Sequence, residues 1–257
     1  MNTNLKSVCT VFVTLASFVG FAADEPAASD LEQESSIEMP SVEAGVFYRS
    51  MKTERGMVEN KESVFGYEVE LGWYGIVGGI ETCYDMTNID GRRGRYNEIE
   101  TFLGYEYAFG DFTAKAAYVY KKCVHEEPDT QEVELELEYD TPWLTPFLGF
   151  EMDTKQKPGA TYGAFGIRRE FELLEGVTAI PLAGIGFGTA GRNELDFERH
   201  AFAFRDVHVG LEFEIELCKH LKLVPSVDLY DQFTSAARHE YRKGFAAAGG
   251  CRLFSEF

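Results

Sequence analysis

The chain has 257 residues, of which 43 are acidic and 24 are lysine or arginine, and its formal net charge is -19. This charge argues against binding of nucleic acid or of anionic membrane surfaces, and it makes cations the more natural partners. The 25 glycines, 13 tyrosines and 21 phenylalanines favour β-structure, and the length allows a single large all-β domain.

The first residues contain one lysine, and an apolar run follows at residues 8–23. This pattern is typical of a secretory signal peptide. We predict it at residues 1–22, because Gly20 and Ala22 are small residues of the kind that the peptidase requires before its cleavage site. The alternative is an uncleaved membrane anchor, but the run is shorter than the roughly 20 residues of a spanning helix.

The next segment, residues 23–41, is acidic and poor in aromatic residues and contains Pro26 and Pro40. It predicts a disordered arm. For residues 42–257 we predict one barrel domain of about twelve strands. The strands are expected at residues 42–52, 64–74, 76–86, 96–108, 112–121, 131–140, 143–153, 162–172, 177–188, 201–218, 221–230 and 244–254.

The segment at residues 131–140 shows the clearest strand pattern, with glutamates on one parity and apolar residues on the other. Its glutamates are Glu132, Glu134, Glu136 and Glu138. Only a β-strand sorts these two sets onto opposite faces, and residues 67–73 and 209–217 repeat the pattern. A soluble sheet is one way to use such strands. A closed barrel instead turns the apolar face to lipid and the glutamates to a wet lumen.

The connections between the predicted strands alternate strictly between long and short. The long ones cover residues 53–63, 87–95, 122–130, 154–161, 189–200 and 231–243, and the short ones lie at residues 74–75, 109–111, 141–142, 174–176 and 219–220. This alternation is expected of a transmembrane up-and-down antiparallel β-barrel with long loops outside and tight turns in the periplasm. Both termini are then periplasmic. A Greek-key sandwich does not account for the pattern.

A few residues do not fit regular strands. Pro146, Pro181 and Pro225 lie inside predicted strands, where each lacks the N–H that a ladder hydrogen bond needs. Arg169 lies on the apolar parity of its strand. We expect frayed or bulged strand starts at the prolines and a bulge or an interfacial position at Arg169.

The parity opposite the apolar one defines the candidate lining of the lumen. Its residues are Glu68, Glu70, Glu98, Glu100, Glu132, Glu134, Glu136, Glu138, Glu212, Glu214 and Glu216, together with Arg168 and Arg252. Removing a carboxylate from water without a partner costs several kcal/mol. The excess of glutamates therefore predicts a hydrated lumen, or one in which some of the acids are protonated.

Four cysteines follow the predicted signal peptide, namely Cys83, Cys123, Cys218 and Cys251. An even number in an exported chain allows disulfides, but the spacings match no metal-site pattern and we expect unpaired thiols. The histidines are His125, His200, His208, His220 and His239, and none lies in a recognisable serine-hydrolase pattern. We therefore predict no catalytic residue, no metal site and no cofactor.

The chain ends in the sequence RLFSEF, in which Leu253 and Phe257 share the parity of Cys251 and Arg252 lies on the other. This ending resembles the closing strand of bacterial outer-membrane β-barrel proteins. Together with the signal peptide and the loop pattern, it makes the chain resemble their porin-like members. The resemblance implies localisation in the outer membrane, contact with its lipid, and recognition of Phe257 by the barrel-assembly machinery. Ser255 departs from the aromatic residue common at its position.

Two functions from different classes fit these features. The first is a porin-like passive channel whose acidic lumen favours cations or small solutes. The second is a closed structural or surface-interaction barrel without transport, in which basic residues or divalent ions neutralise the acids. A lipid-modifying barrel enzyme has less support. Ionic conductance in planar bilayers separates the first two.

Overall fold

The computed structural model describes residues 40–55, 57–60, 62–87, 94–123, 128–233 and 245–257. The predicted signal peptide and most of the predicted arm lie outside these residues. None of the described helices is long and apolar enough to cross a membrane.

The described residues form fifteen β-strands and one helix. The strands are β1 (Ser41–Arg49), β2 (Lys52–Glu54), β3 (Met57–Asn60), β4 (Val64–Trp73), β5 (Ile76–Asp85), β6 (Tyr96–Phe109), β7 (Phe112–Cys123), β8 (Thr130–Tyr139), β9 (Thr145–Asp153), β10 (Thr161–Arg168), β11 (Phe171–Leu174), β12 (Val177–Gly188), β13 (Ala203–Cys218), β14 (Leu221–Gln232) and β15 (Phe245–Glu256). The helix α1 (Ala190–Phe197) lies between β12 and β13.

The main sheet closes on itself. Strands β4 to β9 pair in chain order, β10 pairs with both β9 and β12, and β12 to β15 continue the sheet to β1, which also pairs with β4. All these pairings are antiparallel. Because β10 and β11 both pair with β12, they share one place in the ring, and the barrel has twelve strand positions. Strands β2 and β3 form a separate two-stranded sheet.

The outer surface of the barrel is apolar. Leu135 and Leu137, on the apolar parity of β8, are 47% and 46% exposed, and Leu103 of β6 is 65% exposed. Near the tight turns, Phe112 stacks on Phe109 and Tyr139, with ring centroids 5.3 and 4.4 Å apart. An apolar band with aromatic residues at its edge is the lipid-facing surface of a transmembrane barrel. The predicted all-β, up-and-down antiparallel barrel of twelve strands is therefore confirmed.

The interruption between β10 and β11 lies opposite a proline of the neighbouring strand β12. Arg168 pairs with Leu182 of β12, and the pairing resumes at Phe171 opposite Ala179, so Arg169 lies opposite Pro181. Proline has no N–H to donate to the ladder. The Arg169 N–H still donates to the Pro181 carbonyl at 3.2 Å. The irregularity that we predicted at Arg169 is thus a break in the strand that faces a proline.

Two of the long connections hold structure that the periodicity did not predict. Residues 53–63, predicted as a loop, contain part of the β2–β3 hairpin, and residues 189–200 contain α1. The helix begins where the Thr189 side chain accepts a hydrogen bond from the Arg192 N–H, and it ends at Glu198, whose φ is 55°. Both elements are too short for a window of hydrophobic periodicity to detect.

Candidate functional site

The β2–β3 hairpin crosses the lumen of the barrel. It follows β1, and Arg55 at its turn forms ion pairs with Glu132 of β8 and Glu151 of β9. In the ring of twelve positions, β9 is six steps from β1, on the opposite wall. Lys52 and Arg55 are only 6% and 8% exposed. The hairpin therefore extends from one wall to the other at the end where the long connections lie, which we call the long-loop end.

Cations from the hairpin and from the wall hold these contacts in place. The Lys52 Nζ lies 2.7 Å from a carboxylate oxygen of Glu98 and 3.5 Å from one of Glu54. The Lys121 Nζ, from β7, lies 2.7 Å from Glu54 and 3.4 Å from Glu100. Each cation contacts more than one acid, so the hairpin is fixed by several charge-assisted contacts at once.

Glu132 is the centre of this network. It is fully buried, and Arg55, Lys121 and Arg192 all direct a cationic nitrogen at its carboxylate. A carboxylate removed from water requires this kind of compensation. Since Arg192 belongs to α1, Glu132 joins the hairpin, the barrel wall and the helix.

Helix α1 is itself anchored at the long-loop end. The Arg192 Nε donates to Asp196 at 2.8 Å, and Arg205 of β13 binds the same carboxylate. The Asn193 side chain donates to the carbonyls of Gly188 and Ala201 at 2.9 and 2.7 Å. These bonds hold the helix between the ends of β12 and β13, where Arg192 reaches Glu132.

Glu54 and Arg55 of the hairpin stay ionised near neutral pH. Burial acts to raise the pKa of Glu54, but the charges of Lys121, Arg55 and Lys52 lower that pKa well below its ordinary value. Burial acts to lower the pKa of Arg55, but Glu54, Glu151 and Glu132 raise it well above its ordinary value. Both groups are therefore ionised at physiological pH.

The predicted lining residues fall into three groups. Glu98, Glu100 and Glu132 meet the hairpin network described above. A second group forms ion pairs nearer the tight turns: Glu68 with Arg252 at 3.4 Å, Glu70 with Lys115 at 3.9 Å, Glu138 with Arg168 at 2.6 Å, and Glu214 with Lys222 at 2.8 Å. The third group, Glu134, Glu136, Glu212 and Glu216, forms no ion pair with another described residue.

Among the cavities inside the barrel, two are lined by described residues. The larger, of about 470 Å³, is lined by residues that include Arg49, Thr53, Glu212 and Tyr230. The smaller, of about 280 Å³, is lined by residues that include Glu134, Glu136 and Lys115 on the opposite wall. Three of the unpaired glutamates, Glu134, Glu136 and Glu212, therefore border space that water or a small solute can fill.

Glycines on the inner wall let phenylalanine rings lie flat against it. A Cβ placed on Gly66 would lie 2.2 Å from the ring of Phe47, and one on Gly166 would lie 2.5 Å from the ring of Phe147. The Arg49 guanidinium stands 4.4 Å above the Phe47 ring. Because the rings occupy the space that side chains at these glycines would fill, the inner wall gains aromatic surface without narrowing the lumen.

The histidines and cysteines within the described ranges form no assembled catalytic site. His208 lies 3.0 Å from Asp228 and stacks on Tyr230. Ser226 lines the same cavity, but among the described residues no hydrogen bond joins it to His208. His125 and His239 and the Cys123 side chain lie outside the described part of the chain. Cys83, Cys218 and Cys251 are free thiols.

The sequence alone did not identify the residues that cross the lumen. The predicted strand at residues 42–52 ends with Lys52, and the predicted loop at residues 53–63 contains Glu54 and Arg55. The predicted loop at residues 189–200 contains Arg192. The available signal was the pair Arg55 and Gly56, a turn sequence between two short extended segments. Nothing in the sequence indicated that this hairpin folds inward.

No protein-family model and no curated protein matches the sequence. The solved structures with a similar fold include two porins. A KdgM porin in complex with disordered oligogalacturonate is 10% identical, with 84% of this chain and 98% of that chain covered and a TM-score of 0.51. The NanC porin is 11% identical, with the same coverage and a TM-score of 0.51. At these identities the likeness concerns the fold alone: the chain has the closed antiparallel β-barrel fold of these porins.

Proposed function

We propose that the protein is a porin-like passive channel of the bacterial outer membrane that favours cations and small neutral or cationic solutes. The observation that carries this proposal is the position of Glu134, Glu136 and Glu212, which line internal cavities without an ionic partner among the described residues. Unpaired carboxylates are tolerated where water solvates them. Their summed potential concentrates cations in a water-filled lumen.

The orientation follows from the connection lengths. The long-loop end faces the exterior, and the tight turns and both ends of the barrel face the periplasm. Residues 1–22 direct export and are then removed, and residues 23–41 form an arm ahead of the barrel. Outer-membrane lipid covers the apolar band, and the assembly machinery reads Phe257.

The chemistry of the lumen also indicates which solutes it disfavours. The KdgM structure holds an oligogalacturonate, a chain of acidic sugars. In this protein, basic residues line the inner wall near the two cavities and the tight turns. Each of them is paired with at least one glutamate: Arg49, Lys115, Arg168, Lys222 and Arg252. Acidic oligosaccharides would meet unpaired carboxylates here, so we expect them to be poor solutes.

One observation favours the second candidate, a closed structural barrel without transport. The β2–β3 hairpin crosses the lumen, and its ion pairs neutralise many of the acids at the long-loop end. A barrel sealed by the hairpin would conduct nothing.

The two functions are separated by reconstitution of the purified barrel in planar lipid bilayers. A channel gives stepwise conductance and, under a KCl gradient, a reversal potential of the sign expected for cation preference. A correctly folded barrel that gives no current overturns the channel function and supports the structural one.

A further inference from the structure

The inner surface has two zones of different charge balance. At the hairpin, the acids Glu54, Glu98, Glu100, Glu132 and Glu151 face the bases Lys52, Arg55, Lys121 and Arg192. The hairpin zone is therefore close to neutral. Elsewhere, Glu134, Glu136 and Glu212 have no basic partner among the described residues.

A two-stranded element occupies the lumen in the hairpin zone, so a permeating ion passes close to the charged side chains there. An ion's electrostatic energy depends most strongly on the charges nearest to it. The charge balance at the hairpin therefore has a strong influence on selectivity.

Arg55 contributes to this balance from the turn of the hairpin. It contacts three acids on three elements: Glu54 of β2, Glu132 of β8 and Glu151 of β9. One carboxylate oxygen from each of these acids lies within 4.8 Å of the corresponding oxygens of the other two. Without the Arg55 guanidinium, these three carboxylates would keep only Lys52, Lys121 and Arg192 as cationic neighbours, and the hairpin zone would gain one net negative charge.

We propose that Arg55 is the specificity-determining residue of the lumen. It cancels charge on the acids that meet at the hairpin, so that the channel selects cations less strongly than its glutamates alone would. This inference rests on the proposed channel function and assigns the limit on its cation preference to one residue, which is carried by the hairpin rather than by the barrel wall.

The test compares Arg55→Gln with Arg168→Gln, which removes the same charge near the tight turns. Arg168 is a matched control because it pairs with one acid, Glu138, at 2.6 Å. From reversal potentials under a KCl gradient, we expect the cation-to-anion permeability ratio to rise about three- to tenfold in Arg55→Gln. In Arg168→Gln we expect a rise of less than about twofold. Equal shifts in the two variants would overturn the proposal.

A second pair of variants covers the case in which Arg55→Gln fails to fold. Glu151→Gln keeps Arg55 and removes one of its acids, and Glu138→Gln is the control near the tight turns. We expect Glu151→Gln to shift the permeability ratio towards anions by more than Glu138→Gln does. Equal shifts would again overturn the assignment to Arg55.

Calcium binding separates failure of this inference from failure of the channel function. If the parent barrel carries no current, the channel function is wrong, but Ca²⁺ binding to folded barrels in detergent still reports the charge that Arg55 cancels. We expect Arg55→Gln to bind Ca²⁺ at least about tenfold more tightly than Arg168→Gln, because Glu54, Glu132 and Glu151 become available as oxygen ligands. Equal Ca²⁺ affinities would contradict the role of Arg55.

Discussion

Arg55 and Glu151 form an ion pair between a hairpin that leaves β1 and the strand on the opposite wall of the barrel. The contact makes the hairpin an internal tether as well as an obstruction. Both the stability of the barrel and the passage of ions therefore depend on the same buried charges.

Replacing Glu132 tests the stabilising role of the network. Glu132→Gln removes the shared anion of Arg55, Lys121 and Arg192 while preserving side-chain volume. Because three buried cations then lose a shared anionic partner, we expect the free energy of unfolding to fall by about 3–5 kcal/mol. Urea titration of the reconstituted barrel measures this. The exposed Glu136 provides the control, since Glu136→Gln should change stability by less than about 0.5 kcal/mol. Equal stabilities would show that the network does not hold the hairpin.

Acid should weaken the hairpin contacts through Glu54. Because the folded pKa of Glu54 lies below its ordinary value, its stabilisation is complete above the unfolded pKa of about 4.3 and is lost as the pH falls through the lower folded value. The free energy of unfolding should therefore fall more steeply between about pH 5 and about pH 3 in the parent than in Glu54→Gln. Glu175→Gln, in an exposed tight turn, should follow the parent. Parallel curves for the parent and Glu54→Gln would contradict this role.

The strands were largely predictable from the sequence, whereas the residues that cross the lumen were not. Alternation with period two is a local property, and at β12 the predicted and observed bounds agree at residues 177–188. The inward fold of the hairpin depends on contacts between residues far apart in the chain, such as Arg55 with Glu132. A run of glutamates likewise shows which face is polar, but not that Glu132 is buried among cations while Glu136 is exposed. Charge balance in the lumen is a tertiary property.

The apolar outer surface predicts behaviour in detergent. The folded barrel should migrate differently on gels before and after boiling, because heat is needed to break a closed hydrogen-bonded ring. It should also require detergent to remain dispersed, since exposed residues such as Leu103 and Leu137 have no protein partner to cover them. A monomer that stays soluble without detergent would contradict the transmembrane assignment.

The last strand should carry an assembly signal. Strand β15 closes the ring by pairing with β1, and Phe257 follows it. Deletion of Phe257 should reduce the amount of barrel in the outer membrane more than Glu256→Gln does, because the terminal aromatic residue is the feature that resembles the signal. Membrane levels of the two variants, compared by immunoblot after fractionation, measure this. Equal levels would rule out Phe257 as the determinant.

The most direct test of the channel and its acidic lumen is the reversal potential of a variant in which Glu134, Glu136 and Glu212 are changed to Gln. These residues line the internal cavities and have no ionic partner among the described residues, so the change removes charge without breaking an ion pair. A variant with Asp111→Asn, Glu175→Gln and Glu198→Gln, all at exposed positions in connections between strands, is the control for net charge. We predict that the lumen variant loses cation preference at low salt and that the control keeps it, with a smaller difference between them as ionic strength rises. Unchanged selectivity in a conducting lumen variant would contradict the account.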